Sequence, residues 1–134
     1  LSALRAKVDS GAKTSSLHAT QAELFGPAAD PSVKFLTSPD PDQPDFQITC
    51  SARVVGRRSV KNSDGHSEMR FVIESPVRMG AREWPIEITL NDRSFMSFRM
   101  LLGRQAFQHD MMIRPTQIML QAELDYSVYE SENE

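Results

Sequence analysis

Apolar and polar residues alternate along short stretches of this chain. The clearest stretch runs from Trp84 to Leu90, where every second residue is apolar, and a shorter one covers residues 4–8. A period of two places the apolar side chains on one face of a β-strand. The same pattern predicts further strands over 14–25, 46–60, 69–77, 98–102, 111–113 and 117–120, with a slip in the second of them near Val54.

Residues that favour turns separate these predicted strands. Asp64 and Gly65 predict the tip of a hairpin, because an Asp-Gly pair adopts positive φ angles at little cost. Other turns are predicted at 9–12, 79–82 and 91–93, and a short helix at 104–109. Short strands with frequent turns indicate an all-β fold, either a barrel or a sandwich.

The length of 134 residues fits one domain, and the charge is unevenly distributed along it. Residues 26–45 carry four acids, one lysine and five of the eight prolines, which predicts a loop without a long regular element. We therefore expect one lobe over 1–121 and an acidic tail over 122–134. The net charge of −3 conceals a mildly basic segment, 46–121, with eleven bases and seven acids. That excess is too small to predict a nucleic-acid partner.

Several protein classes are excluded or disfavoured by the composition. A single cysteine, Cys50, excludes an internal disulfide framework and is expected to be a small core residue. No apolar run is long enough to span a bilayer, and the first residues lack the apolar region of a signal peptide. The sequence begins abruptly inside a strand pattern, which suggests a fragment or a trimmed chain. We therefore expect a cytoplasmic protein, with a periplasmic location left open.

The strongest chemical motif is Val8-Asp9-Ser10-Gly11-Ala12, which puts a carboxylate at a strand end. Gly11 allows a close backbone approach and can offer its N–H to the carboxylate, while Ser10 can bond within the turn or across an interface. Taken alone, the motif predicts an ordinary Asx turn rather than a catalytic site, because Asp-Ser-Gly is common by chance. Further along the chain, Met100-Leu101-Leu102-Gly103-Arg104 leads from apolar residues into the predicted helix.

Together these two motifs resemble the retropepsin-like aspartic proteases, the single-lobe relatives of pepsin. In that family the first motif holds the catalytic aspartate and the Gly-Arg pair opens the helix of the lobe. A hairpin between the motifs folds over the substrate as a flap, and here the corresponding hairpin covers residues 58–70. The resemblance implies the acid-protease β-barrel lobe as the fold.

The resemblance extends over four ordered motifs, at residues 7–19, 60–70, 84–96 and 100–104. They are similar to a bacterial family labelled "ATP-dependent zinc protease" and associated with a ribosomal-protein glutamate ligase. Ser10 departs from the commoner Thr but keeps the hydroxyl. The sequence lacks both a GxxxxGK[ST] phosphate loop and an HExxH zinc motif. We therefore predict neither cofactor nor metal, although His18, His66 and His109 could still converge in space.

For a chain with one such aspartate, the resemblance implies a homodimer, in which Asp9 of each protomer supplies half of a catalytic pair. The resemblance assigns Ser10 to a bond across the two-fold axis and Gly11 to keeping the carboxylates coplanar. Gly103 and Arg104 are expected to support this turn from below, unless Arg104 is simply solvated.

The basic residues of the hairpin, together with the glutamate-ligase association, suggest an acidic peptide or polyglutamylated protein as substrate. A solvated hairpin is the simpler alternative. Candidate substrate-binding residues are Ala12, Lys13, Lys61, Ser63, Gly65 and Arg70, with Arg57 and Arg58 adding to the basic character.

The sequence therefore predicts an aspartic endopeptidase. Two other classes stay open: a non-catalytic dimeric β module that binds peptide or protein, and a metal-dependent hydrolase.

Overall fold

The computed structural model describes residues 4–9, 11–61, 64–94 and 98–107, and this part of the chain is built almost entirely of β-strands. The all-β fold predicted from the alternating pattern is confirmed. The strands are β1 (Ala6–Asp9), β2 (Ser15–His18), β3 (Thr20–Phe25), β4 (Ser32–Thr37), β5 (Ile48–Lys61), β6 (Ser67–Met79), β7 (Arg82–Asn91) and β8 (Met100–Gly103), followed by a 3₁₀ helix at Arg104–Ala106.

All eight strands join in one sheet, in the order β1-β8-β2-β7-β6-β5-β4-β3. The pairs β1–β8 and β2–β7 are parallel, whereas the other neighbours are antiparallel. Among the described strands, β1 lies at one edge of the sheet, and its register puts Asp9 opposite Gly103. Within the described residues, no helix has the length and apolar character needed to cross a membrane.

The predicted alternation in β7 builds the centre of the core. Trp84, Ile86, Ile88 and Leu90 are all buried, while Glu87 between them is exposed. The indole N–H of Trp84 donates to the carbonyl of Ala106 at 2.6 Å, which joins the 3₁₀ helix to the sheet. A buried indole needs such an acceptor, because its N–H has left water. The helix after Gly103 is thus held against the core.

The proline-rich segment contains a strand that composition did not predict. Strand β4 lies within 26–45 and pairs with both β3 and β5, so the prediction of a loop there was wrong. Between Pro31 and Pro39 the chain has no proline, and Val33, Phe35 and Thr37 point inward. The average composition of residues 26–45 hid the short alternating run that forms β4.

The boundaries of other elements differ less from those predicted. The segment predicted over 14–25 divides into β2 and β3, and the helix predicted over 104–109 is a single 3₁₀ turn in the residues described. The slip near Val54 is confirmed, because Val54 pairs with Ile73 while Gly56 pairs with the adjacent Val72. The strands predicted at 111–113 and 117–120, and the acidic tail, lie outside the described residues.

Beyond the register shift between Val54 and Gly56, β5 and β6 continue as a two-stranded extension. Residues 57–61 of β5 pair with 67–71 of β6, whereas the pairing of β5 with β4 ends at Arg53 and that of β6 with β7 begins at Val72. We call residues 57–61 and 67–71 the β5–β6 arm. It corresponds to the hairpin predicted around Asp64 and Gly65.

His18 is buried at the end of β2 and holds the turn that follows β7. Its Nδ1 accepts a hydrogen bond from the backbone N–H of Arg93 at 2.9 Å, so this nitrogen carries no proton. Burial lowers the pKa of His18, and the nearby Arg99 lowers it further. The Asp92 carboxylate, 3.6 Å from Nδ1, opposes this shift but does not cancel it.

We expect the protein to lose stability as the pH falls through about 6.5, the ordinary pKa of histidine. The folded state keeps His18 neutral, whereas the unfolded chain binds a proton there, so acidification favours unfolding. The urea midpoint measured between pH 7.5 and 5 should therefore fall. In His18→Asn, whose amide oxygen can still accept from Arg93, the fall should be smaller.

His66→Gln is the matched control, because the His66 side chain is 83% exposed. It should retain the pH dependence of the wild type. An equally steep fall in His18→Asn would contradict the assignment.

Candidate active site

Asp9 ends strand β1 in a turn that is closed by its own neighbours. The N–H of Gly11 donates to Asp9 Oδ1 at 3.0 Å, and the N–H of Ala12 donates to the Asp9 carbonyl at 3.1 Å. A β-carbon at Gly11 would lie 3.2 Å from the same carboxylate oxygen, closer than side chains normally pack. The half-buried Asp9 carboxylate is therefore held by a backbone donor that glycine makes accessible.

The second motif packs directly beside this turn. The N–H of Arg104 donates to the carbonyl of Ala12 at 2.8 Å, and the N–H of Gln105 donates to that of Lys13 at 3.1 Å. The parallel pairing of β1 with β8 continues into these bonds. The structure thus brings together the two motifs that the sequence singled out, although they lie far apart in the chain.

Gly103 allows the closest approach in this region. A β-carbon there would collide with the backbone of Thr14, including a separation of 2.8 Å from its amide nitrogen. The N–H of Gly103 also donates to the buried hydroxyl of Ser15 at 3.1 Å. Because backbone atoms cannot rotate away, a side chain at this position would push the two segments apart, at a typical cost of about 1–3 kcal/mol.

The Arg104 side chain makes one longer contact with the same turn. Its Nη1 donates to the carbonyl of Gly11 at 3.4 Å, and the side chain is otherwise exposed. The expected support from Gly103 and Arg104 therefore comes mainly from their backbone, with the guanidinium adding a weaker bond.

Thr14 and Arg58 form a link that sequence reasoning missed. Arg58 Nη1 donates to Thr14 Oγ1 at 2.9 Å, across 44 residues of chain. The bond connects the β5–β6 arm to the segment that follows Asp9. From the sequence, Arg58 is only one of several basic residues of the hairpin. No local pattern identifies Thr14 as its acceptor.

The predicted substrate-binding residues lie in two places. Ala12 and Lys13 belong to the Asp9 turn, where Lys13 is exposed, and Gly65 lies at the hairpin with a φ of +89°. Ser10, Ser63 and the side chain of Lys61 fall outside the described residues.

Arg70 lies on β6 directly opposite Arg58, so both share one face of the arm. Its Nη2 is 3.4 Å from Glu68 Oε2, while its Nε is buried without a hydrogen-bond partner. Because Nε is shielded from solvent, only the exposed part of the Arg70 guanidinium can meet an incoming group, and a carboxylate is a strong acceptor for it. This face of the arm is therefore suited to an acidic group.

The remaining reactive side chains are dispersed. His18 is buried in the sheet, His66 lies at the hairpin, and Cys50 is a partly buried residue packed against the core. Among the residues that the structure describes, no three His, Cys, Asp or Glu side chains are grouped as metal ligands would be. His109 is not among them.

Comparison with known proteins agrees with this arrangement of motifs. The chain is 40% identical over 115 residues to a probable alpha-L-glutamate ligase of Shewanella pealeana, covering 86% of this chain and 25% of that protein. It is 42% identical over 113 residues to a protein of the same name from Desulfotalea psychrophila, covering 84% and 24%. The chain thus spans about a quarter of the length of these relatives.

A solved structure and a family model complete the comparison. A Legionella pneumophila protein of unknown function superposes with a TM-score of 0.60 at 27% identity, covering 75% of this chain and 70% of that one. The model described as "Retropepsin-like aspartic endopeptidase RimB" matches residues 1–123. The chain therefore belongs to the RimB-like family of retropepsin-like aspartic endopeptidases.

Proposed function

We propose that this protein is an aspartic endopeptidase that acts as a homodimer, with Asp9 of each protomer forming the catalytic pair. The observation that carries this proposal is the Asp9 turn, in which the Gly11 N–H binds the carboxylate and the Gly103–Arg104 segment fixes the loop from the other side. Family membership supports the same chemistry.

The need for a second protomer follows from the composition of the turn and its place in the sheet. Residues 9–14 contain one carboxylate, whereas a carboxylate pair requires two. Among the described strands β1 lies at the edge of the sheet, and we infer that a second copy approaches the Asp9 turn from that side. A symmetric dimer would place the same turn of both copies at one axis.

The proposed reaction uses the pair as acid and base. Two carboxylates at close range share one proton, because ionising both would place like charges side by side. The ionised Asp9 takes a proton from water as the water oxygen attacks the peptide carbonyl, and the protonated Asp9 donates to the carbonyl oxygen. Collapse of the tetrahedral intermediate breaks the C–N bond: the Asp9 that took the proton from water gives it to the leaving amine, and the other Asp9 takes a proton back from a hydroxyl of the intermediate as the carboxyl group forms.

An acidic substrate is the second part of the proposal. Arg70 keeps part of its guanidinium exposed on one face of the arm, and Lys13 is exposed beside Asp9. The relatives that carry a glutamate-ligase name point to glutamate-rich protein tails as candidates. Guanidinium groups bind carboxylates through paired, charge-assisted hydrogen bonds.

Asp9→Asn should abolish peptide cleavage while the fold is retained. Asparagine keeps the shape of the side chain but cannot act as acid or base, so kcat should fall by at least a factor on the order of 10²–10⁴. Cleavage of a glutamate-rich peptide, measured between pH 4 and 8, checks this, with thermal unfolding as the control for folding. Wild-type rates in Asp9→Asn would instead favour metal-dependent hydrolysis, whereas a wild type that binds peptide without cleaving it would favour a binding module.

The cleavage rate should rise more steeply than in direct proportion to the protomer concentration. For a dissociating dimer, the plot of log rate against log concentration has a slope of about 2 at low concentration and about 1 at saturation. Addition of excess Asp9→Asn protein should inhibit the wild type, because mixed dimers contain one carboxylate. A slope of 1 throughout, without inhibition by the variant, would refute the dimeric site.

Arg70→Gln should weaken cleavage of glutamate-rich peptides more than that of neutral ones. Loss of one charge-assisted hydrogen bond predicts a decrease in kcat/KM of about tenfold for the acidic peptide, smaller at high salt. Arg78→Gln is the matched control, because Arg78 is an exposed arginine at the other end of β6. If the two variants behave alike, Arg70 does not determine the preference.

A further inference from the structure

The β5–β6 arm needs support from outside its own two strands. Its residues pair with each other, and neither β4 nor β7 continues alongside them. An isolated two-stranded hairpin is at best marginally stable in water, and its hydrogen bonds do not fix its angle to the rest of the protein. Any contact between the arm and the body therefore has a large influence on where the arm lies.

The Arg58–Thr14 hydrogen bond provides such a contact. Arg58 is the second residue of the arm on β5, and its Nη1 reaches Thr14 Oγ1 at 2.9 Å. Thr14 is well suited as an anchor, because its backbone is packed against Gly103 with no room for a β-carbon. The arm is thereby tied to the most tightly packed part of the Asp9 region.

The neighbouring arginine makes a different type of contact. Arg57 points to the opposite face of β5 and stacks over the ring of Phe71, with its guanidinium carbon 5.5 Å from the ring centroid. Because Phe71 belongs to the arm, this cation–π contact lies within the arm, while the Phe71 ring also packs against the edge of the core at the base of the arm. Two adjacent residues of equal charge therefore have separate effects.

We propose that Arg58 is a positioning residue, which holds the β5–β6 arm beside the Asp9 turn through its hydrogen bond to Thr14. The consequence for cleavage rests on the proposed peptidase function, whereas the consequence for the arm does not. The bond is exposed, so water can replace it and the arm can open. Once re-formed, it returns the arm to one place relative to the carboxylate.

Hydrogen exchange of the arm amides tests the contact without any substrate. Thr14→Val keeps the shape of the side chain but removes the acceptor, and Arg58→Gln removes the guanidinium. Each should raise the exchange rates of 57–61 and 67–71 about fivefold, as expected for loss of one hydrogen bond. Thr14→Ser, which retains a hydroxyl, should restore the slow exchange, and Arg57→Gln should change it less than threefold.

The double variant Thr14→Val/Arg58→Gln provides the second criterion. If both residues act through one bond, the double variant exchanges no faster than the single ones. Additive effects, or exchange in Thr14→Val equal to that of the wild type, would overturn the proposal.

Steady-state cleavage separates positioning from direct substrate binding. Thr14→Val and Arg58→Gln should lower kcat/KM for acidic and neutral peptides by the same factor, with Thr14→Ser close to the wild type. If Arg58→Gln alone raises KM, and only for acidic peptides, Arg58 binds substrate and the positioning role is wrong. If the wild type cleaves no peptide while the exchange results hold, the peptidase function fails and the Arg58–Thr14 contact stands.

Discussion

The contact between the backbones of Thr14 and Gly103 is the constraint on which the candidate site depends. No β-carbon fits at Gly103, so strand β8 can lie directly beneath the segment after Asp9. From that closeness follow the Ser15 hydroxyl bond to Gly103 and the two amide bonds from Arg104 and Gln105 to the turn. The carboxylate is thus placed by main-chain atoms, which have fewer ways to move than side chains do.

The arm contrasts with this rigid turn. It extends past the strands that flank its base, and much of its surface is exposed. A peptidase needs both properties, because its carboxylates must stay fixed while a polypeptide enters and leaves. Arg58 connects the two regions through an exposed hydrogen bond to Thr14. Under the proposed function, Asp9 is the fixed reactive group and the arm is the part that moves as substrate enters.

Strand β2 supports a different part of the fold at each of its ends. Ser15 begins the strand beside Gly103, and His18 ends it beneath the turn after β7. There the buried Arg99 donates to the carbonyls of Arg93 and Ser94, so positive charge accumulates around a neutral imidazole. Acid conditions, which favour a shared proton in a carboxylate pair, therefore act against this part of the fold.

The sequence by itself determined the all-β class, the register shift near Val54 and the turn in which the Gly11 N–H binds the Asp9 carboxylate, because each depends on local alternation or on residue types within a short motif. It missed β4, since prolines on both sides dominated the composition of that window. It also missed the pairing of Arg58 with Thr14. Only the tertiary structure decided which of the basic residues reaches the Asp9 region, because a hydrogen bond across 44 residues arises from sheet register and leaves no local pattern in the chain.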